Sequence, residues 1–240
     1  MTAGSWAKKI ILSLVGTVLI GLGSSMLKLA SFGNDPVSAL EYSLGDLWAL
    51  TGNHFIVENA VSFGVITMNV LMFIPMLICQ RSKIHVGTAI NVFGMAFIIA
   101  FFDFLWRLCS LSTDSLPLYG RILFMLGGLV VQSFGVALFV QADFGIGPYD
   151  AMNLIVGKKF GYLWGRIITD VLSSVLALVI SALVFMPYSS FADFATETFN
   201  SSHTVVSFFT LILMVVQGPL ITLFGKMLKK IMFKGQETNI

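Results

Sequence analysis

An acid or carboxamide set inside an apolar run is the kind of group that binds or relays a cation, and four such residues stand out here. They are Asn69, Asn91, Gln132 and Asp170. Asp170 lies about seven residues into a long apolar run, where insertion of a charge costs on the order of 3 kcal/mol unless it is paired or hydrated. Two chemistries fit it. Asp170 is a proton or cation site, or it is neutralised by Arg166 one helical turn away at i and i+4. Asp103 and Arg107 repeat the second pattern. Thr88 and Gln217 fit a plainer task, hydrogen bonding between helices, and so do Asn91 and Gln132. Together Asn69, Asn91, Gln132 and Asp170 are the candidates for lining a polar substrate path.

Other chemistries lack their residues. No Ser-His-Asp, His-Glu-x-x-His or paired-carboxylate arrangement falls at helical spacing, and no cofactor fingerprint or Walker A sequence is present. The expectation is therefore no catalytic residue, no metal site and no cofactor, which makes an enzyme the least suited class. His54, His85 and His203 are isolated loop or boundary residues without metal-ligand spacing. Cys79 and Cys109 end consecutive runs, which sets them on opposite membrane faces and prevents an intramolecular disulfide.

The elements that must position these groups follow from composition. Apolar residues make up 57% of the chain and charged residues 11%, far from the roughly 25% charged content of soluble domains. Six apolar runs, near 10–32, 57–79, 86–109, 119–142, 164–187 and 203–226, are each long enough to span a bilayer. The chain is read as an all-α polytopic membrane protein, with the lipid bilayer as its first partner and nothing that suggests nucleic acid.

Charge placement orients it. With six spans and a cytoplasmic N-terminus, Lys8, Lys9, Arg81, Lys83, Lys158, Lys159, Arg166, Lys226, Lys229, Lys230 and Lys234 fall inside. Only Lys28, Arg107 and Arg121 fall outside, the bias expected of a plasma-membrane protein with both termini cytoplasmic. Adding the two short segments near 36–48 and 148–160 as further spans would reverse this bias.

The chain is also internally repeated. Ala30 to Ala39 reads A-S-F-G-N-D-P-V-S-A, and 112 positions later Ala142 to Ala151 reads A-D-F-G-I-G-P-Y-D-A. Ile10, Leu14, Gly16, Val18, Gly23 and Gly45 recur at the same offset, and the run from Phe63 to Leu71 recurs from Trp164 to Leu172 at an offset of 101. The expected halves are 1–112 and 113–240, three spans each. An odd number of spans makes such halves inverted repeats, an architecture common in transporters.

Each break, Phe32-Gly33 to Pro36 and Phe144-Gly145 to Pro148, has a local logic. Gly33 and Gly145 suit the positive φ that ends a helix. Pro36 and Pro148 suit the first turn of a new one, after Asp35 or Gly147 as cap. The new helices run about ten residues, half a bilayer at 1.5 Å per residue. Either they dip into the membrane as re-entrant segments, or they lie at the interface with Val37, Leu40, Leu44 and Trp48 toward lipid and Ser38, Glu41 and Asp46 toward water. On the first span Ser13, Thr17, Gly21 and Ser25 form a small-residue stripe for close packing, against another span or against a second protein.

The duplicated A-x-F-G-x-x-P-x-x-A, the G-x-I-x-x-[DN]-V-L run and Val86-Gly-Thr-Ala-Ile-Asn91 together resemble the bacterial YczE/YyaS/YitT group of small integral membrane proteins. Ending near Lys234 to Ile240 without the soluble domain of the YitT branch, the chain is more similar to the YczE branch. Some members of the group have been proposed as exporters, and the resemblance implies no defined substrate. One departure lies within the chain, where Gly87-Thr88 has only His203-Thr204 opposite it in the second half.

The function expected is a small-molecule secondary transporter or exporter that works by alternating access between inverted halves. The alternatives are a substrate-binding membrane subunit of a multicomponent transporter, docked through the span-one stripe, or a sensor or scaffold. A homo-oligomer or a partner membrane protein is compatible with each.

Overall fold

The computed structural model describes residues 3–185 and 206–232. In chain order its helices are α1 (Ala3–Ala30), α2 (Pro36–Ala49), α3 (His54–Glu58), α4 (Ala60–Cys79), α5 (Val86–Leu108), α6 (Leu118–Gln141), α7 (Pro148–Phe160), α8 (Tyr162–Phe185) and α9 (Phe208–Met232). Six of these, α1, α4, α5, α6, α8 and α9, are long and apolar enough to cross a membrane. At 14 and 13 residues, α2 and α7 are not.

Five expected spans fall on α1, α4, α5, α6 and α8, although residues 186 and 187 of the fifth lie outside the described residues. The sixth is displaced. Expected near 203–226, it runs instead from Phe208 to Met232 and keeps Lys226, Lys229 and Lys230 inside the helix. A lysine stem lets the ammonium reach water while its backbone stays helical, and cations at a C-terminus complement the helix dipole. A boundary drawn at the first lysine therefore stops too soon. Residues 203–205 lie outside the described residues. The short α3 is an addition to the expected elements; Asn53 starts it by accepting hydrogen bonds from the backbone N–H groups of Phe55 and Ile56 at 3.0 and 3.4 Å.

The bundle is centred on α1 and α6, which run antiparallel with Gly16 beside Gly135 and Gly23 beside Gly128. A methyl group on Gly23 would sit 2.6 Å from the backbone nitrogen of Gln132, and one on Gly135 would sit 2.7 Å from that of Ile20. Backbones that approach this closely gain dispersion contacts without the help of a hydrophobic effect, which is absent between lipid-facing surfaces. Outside this pair, α5 packs on α1 and α9 on α6; α2 lies against α4 and α8, and α7 against α8 and α4.

Two expectations about α1 and α5 change. The stripe of Ser13, Thr17, Gly21 and Ser25 is buried within the chain, with Gly21 against Ile98 of α5, so it offers no dock for a second protein. Asp103 does not pair with the Arg107 side chain through its carboxylate. It accepts from Lys28 Nζ at 2.5 Å and from Ser25 Oγ at 2.9 Å, while Arg107 Nε donates to the Asp103 backbone carbonyl at 3.3 Å. Lys28 is within reach because α1 ends beside the end of α5.

The two ends of the bundle differ in charge. At one, Lys9 meets Asp143 at 3.6 Å, Lys158 donates to the carbonyl of Cys79 and the Gly87 N–H donates to that of Phe144. This end gathers the start of α1, Arg81, Lys83, Lys158, Lys159 and the lysine-bearing end of α9. At the other, Arg121 donates to the carbonyls of Ala30 and Ser31, both at 2.9 Å. The two breaks thus sit at opposite ends.

From each break the chain turns inward. Arg121 is level with Ser31 while Gln132 reaches Asp35, and the step of eleven residues from one to the other along α6 covers roughly 16 Å at 1.5 Å per residue. The helix α2 therefore starts near mid-bundle and climbs back to the end it came from, where Gly45 packs on the first turn of α4. Likewise α7 starts beside Asp170 and returns to the basic end. On α2, Ser38 and Glu41, which the sequence pattern sets toward water, face the interior together with Leu40 and Leu44.

Candidate functional site

The inward turns depend on Gly33 and Gly145, whose φ values of +119° and +127° would strain any residue with a Cβ. Each glycine is clasped by the start of a distant span. Ser207 and Thr210, before and on α9, close over Gly33, and Ser207 Oγ donates to the Phe32 carbonyl. His85 and Thr88 close over Gly145, with Thr88 Oγ1 donating to the Ile146 carbonyl at 2.9 Å. The Ser207 N–H donates to Thr210 Oγ1 at 3.1 Å, matching His85 N–H to Thr88 Oγ1 at 3.4 Å. Thr210 thus stands at the Gly33 break as Thr88 stands at the Gly145 break; His203 and Thr204, opposite Gly87-Thr88 in the sequence, lie outside the described residues.

These clasps bring the N-termini of α2 and α7 to one interior cavity of about 90 Å³. Asp35, Ser38 and Glu41 line it from the α2 side, and Gly147, Pro148, Tyr149 and Asp150 from the α7 side. The spans contribute Ser24, Asn69, Asn91, Gln132, Arg166 and Gln217. Three of the four sequence candidates, Asn69, Asn91 and Gln132, thus face one space. The fourth is reached through a neighbour: Asp170 accepts from the Tyr149 hydroxyl at 2.6 Å, and its other oxygen lies 3.6 Å from Arg166 Nε. Asp170 is thus paired with Arg166 and joined to the cavity wall through Tyr149.

One hydrogen-bond chain ties the spans to α2. Gln217 Nε2 donates to Gln132 Oε1 at 3.1 Å, and Gln132 Nε2 donates to Asp35 Oδ1 at 2.9 Å and to Ser24 Oγ at 3.1 Å. Asp35 Oδ2 accepts from the Ser38 N–H at 3.3 Å, so this carboxylate, 1% exposed, both caps α2 and anchors it to α6. Asn69 is turned to its own helix, donating to the Val65 carbonyl at 3.0 Å.

Glu41 is different. Only 4% exposed, it borders the cavity and takes no hydrogen bond or ion pair among the described residues. Burial pushes its carboxyl up to about 8, and the charge of nearby Asp35 adds to the rise. Burial also raises Asp150, against the opposing pull of Arg166. Local sequence pattern sets Glu41 in water and does not single out Asp150 or Tyr149. The signal for Glu41 is its repeat position. It aligns with Asn153, as Asn69 aligns with Asp170, so each half contributes one acid and one amide at exchanged places.

Larger spaces lie on either side. One of about 400 Å³, at the end opposite the basic cluster, is walled by Lys28, Asp103 and Trp106 among others. Between it and the centre stands an apolar layer of Val65, Met95, Ala96 and Ile99, packed with Ile20 and Val61. Ile20 and Met95 touch the central cavity and Val61 touches the outer one. A second space, about 750 Å³, opens between α8 and α9. Arg166 borders both it and the centre.

Comparison with known proteins places the chain without naming an activity. It is similar to the Uncharacterized membrane protein YczE of Bacillus subtilis, 27% identical over 149 residues, which cover 61% of this chain and 62% of that one. It is also similar to an Uncharacterized protein of Haemophilus influenzae, 24% identical over 155 residues, covering 64% and 63%. The chain thus spans less than two thirds of the length of these curated relatives. No solved structure matches it. The pattern of one family extends over residues 7–226, nearly the whole chain, and bears out the resemblance to the YczE group. The chain belongs to that family, a family of unknown function, DUF6198.

Proposed function

We propose that the protein is a small-molecule secondary transporter built from two inverted repeats, 1–112 and 113–240, and that α2 and α7 are its re-entrant helices. One observation carries the reading: a short-helix N-terminus from each half converges on a single buried polar cavity at mid-bundle. Binding sites at the midplane, formed where broken helices of opposite halves meet, are the arrangement that alternating access requires. Exchange of α1 with α6, α2 with α7, α4 with α8 and α5 with α9 carries nearly every major helix pairing onto another, which supports the repeat.

Two barriers separate the cavity from the flanking spaces. Toward one face stands the Val65, Met95, Ala96 and Ile99 layer; toward the other stand Arg166 and Asp170. Rocking of one half against the other would open either barrier while keeping its opposite shut. The partner-subunit reading loses its support, because the span-one stripe is spent inside the chain.

Flux measurement tests the proposal. Purified protein in liposomes with an imposed proton or sodium gradient is expected to drive gradient-dependent movement of at least one solute from a chemically broad panel. Asp170→Asn is expected to lower that flux tenfold or more, since Tyr149 and Arg166 would both lose a charged partner. Absence of gradient-dependent flux for every solute would remove the transport reading.

Orientation has its own test. In the plasma membrane with the basic end cytoplasmic, the exposed Cys109 is expected to react with a membrane-impermeant maleimide on intact cells, and the exposed Cys79 only after permeabilisation. Labelling in the reverse order would turn the molecule over.

A further inference from the structure

The carboxylates around the cavity are more than the hydrogen-bond network uses. Asp35 is fully engaged, and Asp170 is held by Tyr149 and Arg166. Glu41, only 4% exposed, is left without a partner among the described residues, and there neither Asp150 nor Asn91 makes a hydrogen bond or ion pair. A buried polar group without a partner is costly and marks a place where something else supplies one. What is missing here is donors.

Two helix N-termini pointing at one space would ordinarily favour an anion. Here their own acids oppose it: Asp35 caps α2, Glu41 follows on its second turn and Asp150 stands on the first turn of α7. Against these, the described residues lining the cavity include one cation, Arg166, which is already near Asp170. The space suits a positive ligand. A hard metal ion asks for six or more oxygens around it, but much of this wall is Ile20, Met68 and Met95. At about 90 Å³ it holds the equivalent of about three waters.

We infer that the cavity recognises a small alkylammonium ion, whose N–H groups bond to Glu41, Asp150 and Asn91 while its carbons lie on Met68, Met95 and Ile20. The inference rests on the transport reading and names its cargo class. Charge balances by exchange: as the ammonium enters, the O–H bond of the Glu41 carboxylic acid breaks, its electron pair stays on the oxygen and the proton leaves to water. The titratable and charged groups that share the cavity wall with Glu41 are Asp35 before α2, Tyr149 and Asp150 from α7 and Arg166 from α8; Asp170 stands behind Tyr149, and Tyr42 is the next residue on α2. Lys28 lies over the Tyr42 ring and is paired with Asp103 of α5, and α4 presents the uncharged Met68 and Asn69.

Calorimetric titration of the full chain in detergent tests this with propylammonium, propionate and propanol, probes of equal size and different charge. Propylammonium is expected to bind with release of close to one proton per ion at pH 7, where Glu41 holds its proton. The release should fall toward zero near pH 9.5, above the value of about 8 at which Glu41 ionises. Glu41→Gln, checked for a single size-exclusion peak, should weaken propylammonium binding tenfold or more. If that variant does not fold, the wild-type probe series and its proton release decide alone. Propionate or propanol binding as well as propylammonium, or binding at pH 7 without proton release, would overturn the inference. Flux of another solute class without ammonium binding would also overturn it and leave the transport reading standing. Ammonium binding with proton release but no flux would sustain the site and remove transport.

Discussion

Gly64→Ala is expected to cost about 3 kcal/mol or more, because the added methyl group meets backbone rather than a side chain that could turn away. On Gly64 it would fall on the carbonyl oxygen of Glu41, with the backbone nitrogen of Gly45 at 2.6 Å. Relief requires α2 and α4 to separate, which opens the cavity that Glu41 borders. The same crossing is built in the second half, where a methyl on Gly165 would meet the Asn153 carbonyl and the Gly157 nitrogen. Gly225→Ala is the matched control. Apart from its own helix, the nearest atom to a methyl group there is Gln141 Nε2 at 3.5 Å, an ordinary van der Waals contact, so this change should be neutral or stabilise α9 by up to about 1 kcal/mol. Thermal unfolding in detergent, read beside the size-exclusion profile, separates the two. Equal melting temperatures for both variants would mean that α2 and α4 do not cross so closely.

The second large effect is expected at Asp35. Asp35→Ala removes the cap of α2, worth about 1 kcal/mol, and takes from Gln132 one of the two acceptors of its Nε2. Leaving a buried amide short of a partner adds about 1–3 kcal/mol. The summed loss is about 2–4 kcal/mol. Asp35→Asn should cost less, since its carbonyl can still accept from Ser38. Its amide nitrogen would then face that of Gln132, and a rotation of Gln132 to suit it would break the bond from Gln217. Thermal unfolding should therefore rank wild type above Asn and Asn above Ala. If alanine proves as stable as wild type, α2 is anchored by something other than this network.

Much of the architecture is legible in the sequence because membranes enforce simple rules. A bilayer demands about 20 apolar residues per crossing, and α4, α5 and α6 obey closely. The breaks are legible because proline and glycine restrict backbone angles locally, and Gly33, Pro36, Gly145 and Pro148 do what their types require. Glu41 is misplaced by sequence for an instructive reason. On a single helix an acid among leucines reads as the wet face, whereas here α2 is surrounded on several sides and its acid faces a private cavity. Burial by distant elements leaves no local trace. The partner of Asp103 is hidden likewise, since Lys28 is 75 residues away and local spacing favours Arg107.

The clasp on the first break has a consequence for how the molecule is made. The Phe32 carbonyl waits for the hydroxyl of Ser207, 175 residues later in the chain. At ribosomal rates of roughly 5–20 residues per second that interval is about 9–35 s. During it the first break has only Arg121 and Gln132 to hold Ser31 and Asp35, while the break at Phe144 already has its own fastener, Thr88, behind it. The break that is synthesised first is the one that is completed last. The acids of α2 are therefore made well before the α7 and α8 walls of the cavity they will share.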